Sequence, residues 1–452
     1  MKSADLGPFL RVASWNIEKS IKANEAIQFF TSDSAFRLMI NPETQKDPLL
    51  YRKIMGQRER LLGADILILQ EMEIGIKRSG YLNAAEELAK ALDMNYAYAT
   101  QYLEVDPVIL GLENIRYEDG NVDTLAMDFF AADPAKYKGM FGGAVLSRYP
   151  IKHVEVRPLK TQPYDWYAGE KKRTTFLEEA RRFGSLSVFK NEITREMKVG
   201  GRTYFRVDLD VPGLPSHTLT VINIHLEIKC LPQAREAQLT EIFSYIRDIK
   251  NPVILMGDFN AAPTDISPTS LTRVAKRTAK NPTTWFGVAV NAVSPHGLAL
   301  NTTRGLSNVT KNFNDPFAKD IKVVAPNPLL SMFEMIRDYR FRDGGVFDFR
   351  GDPKRSVGEK EKILANSNQR GNKGFRTSFS TRRTIGNLIG KLRLDWVFVK
   401  SYLKTESTDV LGPYKFAPHF GETLEEMNAN LITPISDHHP NVVDLPFNEP
   451  NI

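Results

Sequence analysis

The chain has 452 residues, of which 42% are hydrophobic and 25% charged, and it carries a formal net charge of +6. These values exclude a disordered, collagen-like or disulfide-stapled chain. They describe a globular protein large enough to bury a sizeable core, with a mild lean toward anionic partners.

Cys230 is the one cysteine, so no intrachain disulfide can form. The opening MKSADLGPFL has no apolar signal core, and no run approaches the about 20 apolar residues of a membrane span. Cytoplasm is therefore the default expectation, with secretion or a periplasmic location left open. No coiled-coil heptads or swapping arms are visible, so a monomer is expected.

Taken along the chain, LRVASWNI (10–17) predicts a strand. YRKIMGQRERLLG (51–63) predicts a helix closed by Gly63. ADILILQEM (64–72) reads as a second strand, and LNAAEELAKALD (82–93) as a helix with Leu82, Ala85, Leu88, Ala89 and Leu92 on one face. TLTVINIHL (218–226) is a strand, PQAREAQLTEIFSYIRDI (232–249) a helix opened by Pro232, and PVILMGDF (252–259) a strand. LDWVFVK (394–400) and NVVDL (441–445) complete the series. These short runs rich in Val and Ile suit strands buried on both faces. Strands mixed with helices over the whole length predict a layered α/β domain spanning 1–452. Two pattern-poor stretches, 101–217 and 262–375, are expected to be loop insertions at one end of it.

The apolar runs share a habit: each ends on, or carries, a polar residue with chemistry in it. These are Asn16 with Glu18, Glu71, His225, Asp258 with Asn260, Asp395, and Asp437 with His438. Asp258 and Asn260 alone could simply cap a turn. If the strands lie side by side, however, all these ends converge on one pocket. Two carboxylates 4 Å apart repel by about 4 kcal/mol at an effective dielectric near 20, so several together need a cation. The donors are oxygens, amides and imidazoles without thiolate, which favours Mg²⁺ or Mn²⁺. Such ions pair with phosphate substrates.

Glu71, at the end of ILILQ, is the strongest ligand candidate, since an unpaired carboxylate there is costly to bury. Glu73 is expected to be solvated or to stand behind the ligands. Asp395, flanked by Leu394 and Trp396, calls for a partner, and His438 is the natural one. His439 is expected to face the other way, and His153, His217, His296 and His419 to be surface or packing residues. The segment 370–393 carries Arg370, Lys373, Arg376, Arg382, Arg383, Lys391 and Arg393, no acid, and the aromatics Phe375 and Phe379. It reads either as a solvated basic loop or as a rim that tracks a phosphate backbone.

The ordered series WN, QE, H-L, GDFN, R-x-D-W and SDH resembles the endonuclease/exonuclease/phosphatase superfamily. GGAVLSRYPI (142–151) is similar to one of its strands, and HLEIKCLPQAREAQL (225–239) to its H-L…R-x-x-Q helix. Gly143 stands where the family often has Asn. The resemblance implies a four-layer αββα sandwich with two packed mixed sheets and divalent-metal-dependent hydrolysis of phosphodiesters. Glu71, with Glu18 and Asp437, would hold the metal. Asn16, Asn260 and His225 would hold the substrate phosphate, with His225 also serving the leaving group. Asp258 and Asn260 would set the attacking water, and His438, paired with Asp395, would stabilise the transition state.

For the substrate, the basic segment favours nucleic acid. A phospholipid headgroup or an inositol phosphate is the alternative, with LEVDPVILGL (103–112) and MDFFAADPAKYKGMF (127–141) as an apolar loop for dipping into a bilayer. A non-catalytic phosphate-binding module is the third reading.

Overall fold

Residue parity decides the layering. In a strand, alternate side chains face opposite sides. In β1 (Leu10–Asn16), Leu10 and Val12 join one apolar cluster while Ala13 and Trp15 join another. In β2 (Ile66–Ile74), Ile66 and Ile68 face the first cluster, and Leu67 and Leu69 the second. The first cluster also holds Leu219 and Val221 of β8 (Thr218–His225), and Ile254 and Met256 of β9 (Val253–Asp258). Val397 and Val399 of β10 (Asp395–Lys400) complete that side. It is the interface between two sheets. The molecule is a computed structural model describing residues 9–105, 133–171, 197–263, 314–400 and 419–445, apart from positions 213, 323–324, 357, 359–361, 373 and 386–388.

Seven strands make the first sheet, in the order β11–β12–β1–β2–β4–β3–β6. Its remaining members are β3 (Asn95–Glu104), β4 (Met140–Ser147), β6 (Lys198–Gly200), β11 (Phe420–Thr423) and β12 (Asn441–Leu445). The second sheet has five strands, β10–β9–β8–β7–β5, with β5 at Ile151–Pro158 and β7 at Thr203–Asp210. Both are mixed: β1–β2 and β8–β9 are parallel, and the other pairs antiparallel.

Helices cover the outer faces. α1 (Ala23–Thr31), α2 (Pro48–Leu62) and α3 (Ala84–Leu92) pack Phe29, Ile54 and Leu88 on the first sheet. α4 (Pro232–Ile246) and α5 (Leu330–Asp338) pack Leu239, Phe243 and Phe333 on the second. The layers are thus helix, sheet, sheet, helix.

Local chemistry fixes the helix ends. Asp47 accepts hydrogen bonds from the N–H groups of Leu49 and Leu50 at the start of α2, with Pro48 in the first turn. α2 stops before Gly63, but that glycine is not left-handed (φ −78°). A Cβ there would lie 2.7 Å from the Arg11 guanidinium, the mobile end of a long side chain, so neither capping geometry nor backbone crowding requires the glycine.

The stretch 101–217 departs from its expected role. It supplies the end of β3 and the whole of β4, β5, β6 and β7, all sheet strands. β5 hides from a pattern search because it is a largely exposed edge strand. β7 hides because the Arg206–Asp208 pair interrupts its apolar run. Of the second stretch, 264–313 lies outside the described residues, and the remainder includes α5. Among the described residues, no helix is long and apolar enough to cross a membrane.

Candidate active site

The parity that builds the core also aims the polar strand ends. Asn16, His225, Asp258 and Asp395 each fall on the positions of their strands that face between the sheets. Register then sets three of them in a row. His225 lies beside Asp258 in the β8–β9 pair, and Asp258 beside Asp395 in the β9–β10 pair. From the other sheet, Asn16 is level with Gln70 of β2. The next residue, Glu71, sits in a bulge of β2 with φ 57°, which takes it out of the β4 ladder.

Asn16 joins the two sheets at this point. Its Nδ2 donates to Glu71 Oε1 at 3.3 Å and to Asp258 Oδ2 at 3.1 Å. His225 Nε2 lies 3.7 Å from Glu71 Oε1 and 3.8 Å from Asp258 Oδ2. His438 Nδ1 is 2.9 Å from Asp395 Oδ2, and its Nε2 is 3.9 Å from Asp258 Oδ2. Among the described residues, Asp258, Asp395 and His438 are the carboxylate and imidazole groups whose ligand atoms all lie within 4.8 Å of one another.

Three loops hold these groups in place. After β1, Glu18, Lys19 and Ser20 all have left-handed backbone (φ 47°, 56° and 50°). Such residues cost about 1–2 kcal/mol each outside glycine. The turn aims the Lys19 N–H at Glu71 Oε2 (3.1 Å) and the Glu18 N–H at Asn16 Oδ1 (3.1 Å). After β9, the Asn260 N–H donates to Asp258 Oδ1 at 2.7 Å, and Asn260 Nδ2 to the Leu226 carbonyl at 2.9 Å. Capping and chemistry are therefore shared by one side chain: Asp258 Oδ1 closes the turn while Oδ2 faces the site.

The His438 loop is tied to β1. Ser436 Oγ donates to the Asn16 carbonyl (2.6 Å) and accepts from the His438 N–H (3.0 Å), and Trp15 Nε1 donates to the His438 carbonyl (3.0 Å). Asp437, half-buried, stands one residue before His438, and its carbonyl accepts from the Ser380 N–H at 2.8 Å.

Burial pushes the Asp258 carboxyl up to about 7, with Asp395 and Glu71 adding to the rise and His438 opposing it. Burial also holds His225 well below the usual histidine range, helped by the charges of Arg202, His438 and Lys198, so it is neutral. For His438, burial works downward, but Asp395, Asp258 and Asp437 overcome it and hold the imidazole protonated. Asp395 Oδ1 and His225 Nδ1 are buried with no hydrogen-bond partner among the described residues. An orphaned carboxylate oxygen within an oxygen-rich set fits a hard cation.

Of the two expectations for Glu73, the solvated one fails. Glu73 is fully buried and pairs with Arg78, whose guanidinium also reaches Glu104 Oε1 and Oε2 at 3.0 and 2.7 Å. The basic segment is also spent largely inward. Arg370 pairs with Asp315 (2.7 Å), Arg376 with Glu426 (2.7 Å) and Glu425 (3.2 Å), and Lys391 with Glu425 (3.4 Å). Arg393 is buried, donating to Thr423 Oγ1 and Asn368 Oδ1. Lys373 and the side chains of Arg382 and Arg383 lie outside the described residues, as do His296 and positions 106–132 of the apolar stretches. His439 and His419 are both buried, bonded to Ser380 and Ser367.

Gly143 has a counterpart across the sandwich. A Cβ there would lie 2.9 Å from Asn223 Nδ2, and Asn223 donates to the Leu69 and Ala144 carbonyls. Asn223 and its partner Gln70 (2.9 Å) escaped sequence reading because amides inside apolar runs carry no signal of what they bridge.

A model of the endonuclease/exonuclease/phosphatase family matches residues 13–438. The chain belongs to the endonuclease/exonuclease/phosphatase family. Members of this family are generally hydrolases acting on phosphoester bonds. Solved structures that the chain matches include an endonuclease/exonuclease/phosphatase from Beutenbergia cavernae DSM 12333 (16% identity, 97% of this chain and 71% of that one, TM-score 0.40). An AP endonuclease from Archaeoglobus fulgidus is 12% identical over 96% of this chain and 99% of that one (TM-score 0.40). The human Nocturnin catalytic domain with bound sulfate is 13% identical over 98% and 95% (TM-score 0.35). No curated protein matches the sequence.

Proposed function

We propose that this chain hydrolyses phosphodiesters, with Glu71 as the principal holder of a divalent cation and Glu18 and Asp437 as its further ligands. Bound there, Mg²⁺ or Mn²⁺ would neutralise charge on the phosphoryl oxygens. Asp258 Oδ2 takes the proton from the attacking water, since its carboxyl lies near the range a general base needs. Asn16 and Asn260 hold the phosphate and aim the water. His438, kept cationic by Asp395, stabilises the charge that builds on the phosphorus oxygens. His225, neutral, serves the leaving-group side. No Ser or Cys stands in the set as a nucleophile, so water attacks directly.

The observation that carries this reading is the row His225–Asp258–Asp395 at adjacent strand ends, with His438 bridging the two aspartates. Hydrolysis of bis(p-nitrophenyl) phosphate is the test. Activity should vanish with EDTA, return with Mg²⁺ or Mn²⁺, and be lost in Glu71→Ala; hydrolysis unchanged by EDTA would sink the proposal. Nucleic acid is the proposed substrate, resting now on Arg382 and Arg383. A panel of single- and double-stranded DNA, RNA, sphingomyelin and phosphoinositides tests it, and fast lipid turnover with inert nucleic acids would replace it.

A further inference from the structure

Two residues past His225, the Glu227 carboxylate is fully buried and collects four donors. Its Oε2 accepts from Tyr102 Oη (3.0 Å), Trp166 Nε1 (3.1 Å) and Arg202 Nε (3.3 Å), and its Oε1 from the Lys229 N–H (2.9 Å). Its own N–H donates to Gln238 Oε1 at 2.9 Å. Arg202 is buried as well, with Nη1 on Gln101 Oε1 (3.3 Å) and its guanidinium 5.4 Å from the centre of the Tyr102 ring. The catalytic scheme above uses neither residue.

Burial pushes the Glu227 carboxyl up, yet Arg202 and the hydrogen bonds more than offset it, so Glu227 is charged. Arg202 also senses the carboxylates of Glu71 and Asp258 and depresses His225. The guanidinium thus has two sets of anions within its reach of influence. One is Glu227, at hydrogen-bond distance; the other is Glu71, which the proposed function needs for a cation, with Asp258, which it needs as a base. Glu71 and Asp258 both lie within 3.8 Å of His225 Nε2, two residues before Glu227.

We propose that Glu227 is a positioning residue: clamped by Tyr102 and Trp166, it holds Arg202 off Glu71 and keeps that carboxylate open to a divalent cation. This rests on the metal reading above. An arginine deprived of a buried partner seeks another carboxylate, and its planar fork grips one at two points. Released from Glu227, Arg202 competes with the cation.

The test is titration of the metal-free full chain with Mn²⁺ alone, followed by electron paramagnetic resonance. Glu227→Gln should weaken binding about 10- to 100-fold, the usual cost of losing a partner behind a metal ligand. Glu227→Gln combined with Arg202→Met should return it to within a few-fold of the unaltered chain, because the competitor is gone. A Glu227→Gln chain that binds as tightly as the unaltered one overturns the proposal, and so does a double variant as weak as the single. A merely structural role predicts no rescue. Should Glu227→Gln alone fail to fold, the double variant removes the pair as a unit and is still expected to fold and bind Mn²⁺; weak binding there overturns the proposal. If the unaltered chain binds no Mn²⁺, the metal reading itself falls, and that is seen before any substitution.

Discussion

Asp258 divides its labour between two oxygens, one closing the β9 turn and one facing Asn16, His225 and His438. Asp258→Asn preserves an oxygen for the turn and removes the base. It is expected to lower kcat about 10²- to 10⁴-fold, measured on a small phosphodiester, and also to lower thermal stability, because its Nδ2 would face the Asn16 amide that now donates to Oδ2. Asp395→Asn acts differently. Asp395 is what raises His438 against its burial, so without it the imidazole loses its proton at lower pH. The alkaline limb of the kcat profile should move to lower pH, and an unmoved limb would remove His438 from the cationic role.

At this scale much of the site was legible. Asn16, Glu71, His225, Asp258, Asp395 and His438 announce themselves by closing or interrupting apolar runs. Glu73, Arg202 and Glu227 did not, because a buried charge is decided by partners distant in sequence, such as Glu104 and Tyr102.

Among the elements, the tight approach of β4 to the facing sheet carries a test. Gly143→Ala drives a methyl toward Asn223 Nδ2 at 2.9 Å and the Leu69 carbonyl at 3.1 Å, and should cost about 1–3 kcal/mol in denaturant unfolding. Gly142→Ala should cost more, since its Cβ would lie 1.9 Å from the Ala99 carbonyl oxygen, which cannot step aside. Equal costs at the two positions would contradict this account. The strand with Arg382 and Arg383 (Phe379–Ile385) tests the substrate. Neutralising both arginines should flatten the dependence of log K on log salt for DNA by about two units if each meets a phosphate. An unchanged slope would remove nucleic acid as the substrate. Six strands were readable because they are buried and apolar on both faces, and all but β10 are central in their sheets. β5 and β7 were not, one being an exposed edge and the other broken by an internal ion pair.

Over the whole molecule, buried carboxyls make stability depend on pH. Glu73 is pushed up to about 7 by burial, with Arg78 opposing, against about 4.3 in an unfolded chain. The folded state therefore holds a proton that the unfolded state has lost between those values. This contribution is full at low pH and fades as pH climbs through about 7. Relative to a Glu73→Gln variant, the unaltered chain should lose stability from about pH 5 to 7, and a constant difference in unfolding free energy would contradict the assignment. The layered architecture itself was legible from strand and helix order, together with the family resemblance. The polar struts joining the sheets, Asn16 to Asp258 and Gln70 to Asn223, were not.

The first sheet places β1 between β2 and β12, with Arg11 clasping Asp444 across the latter pair. Residues near position 11 must therefore wait for residues near 444 before their strand is flanked on both sides. His438 and the Ser436 tether to Asn16 arrive in the same late segment. Pairings this distant along the chain are slow to form, because the loop between them must first be closed. During synthesis, which proceeds at about 5–20 residues per second, the growing polypeptide spends most of its time without an assembled candidate site. The candidate site is thus completed only once translation has passed β12, and a ribosome-tethered fragment that stops short of Ser436 lacks both His438 and the Ser436 tether.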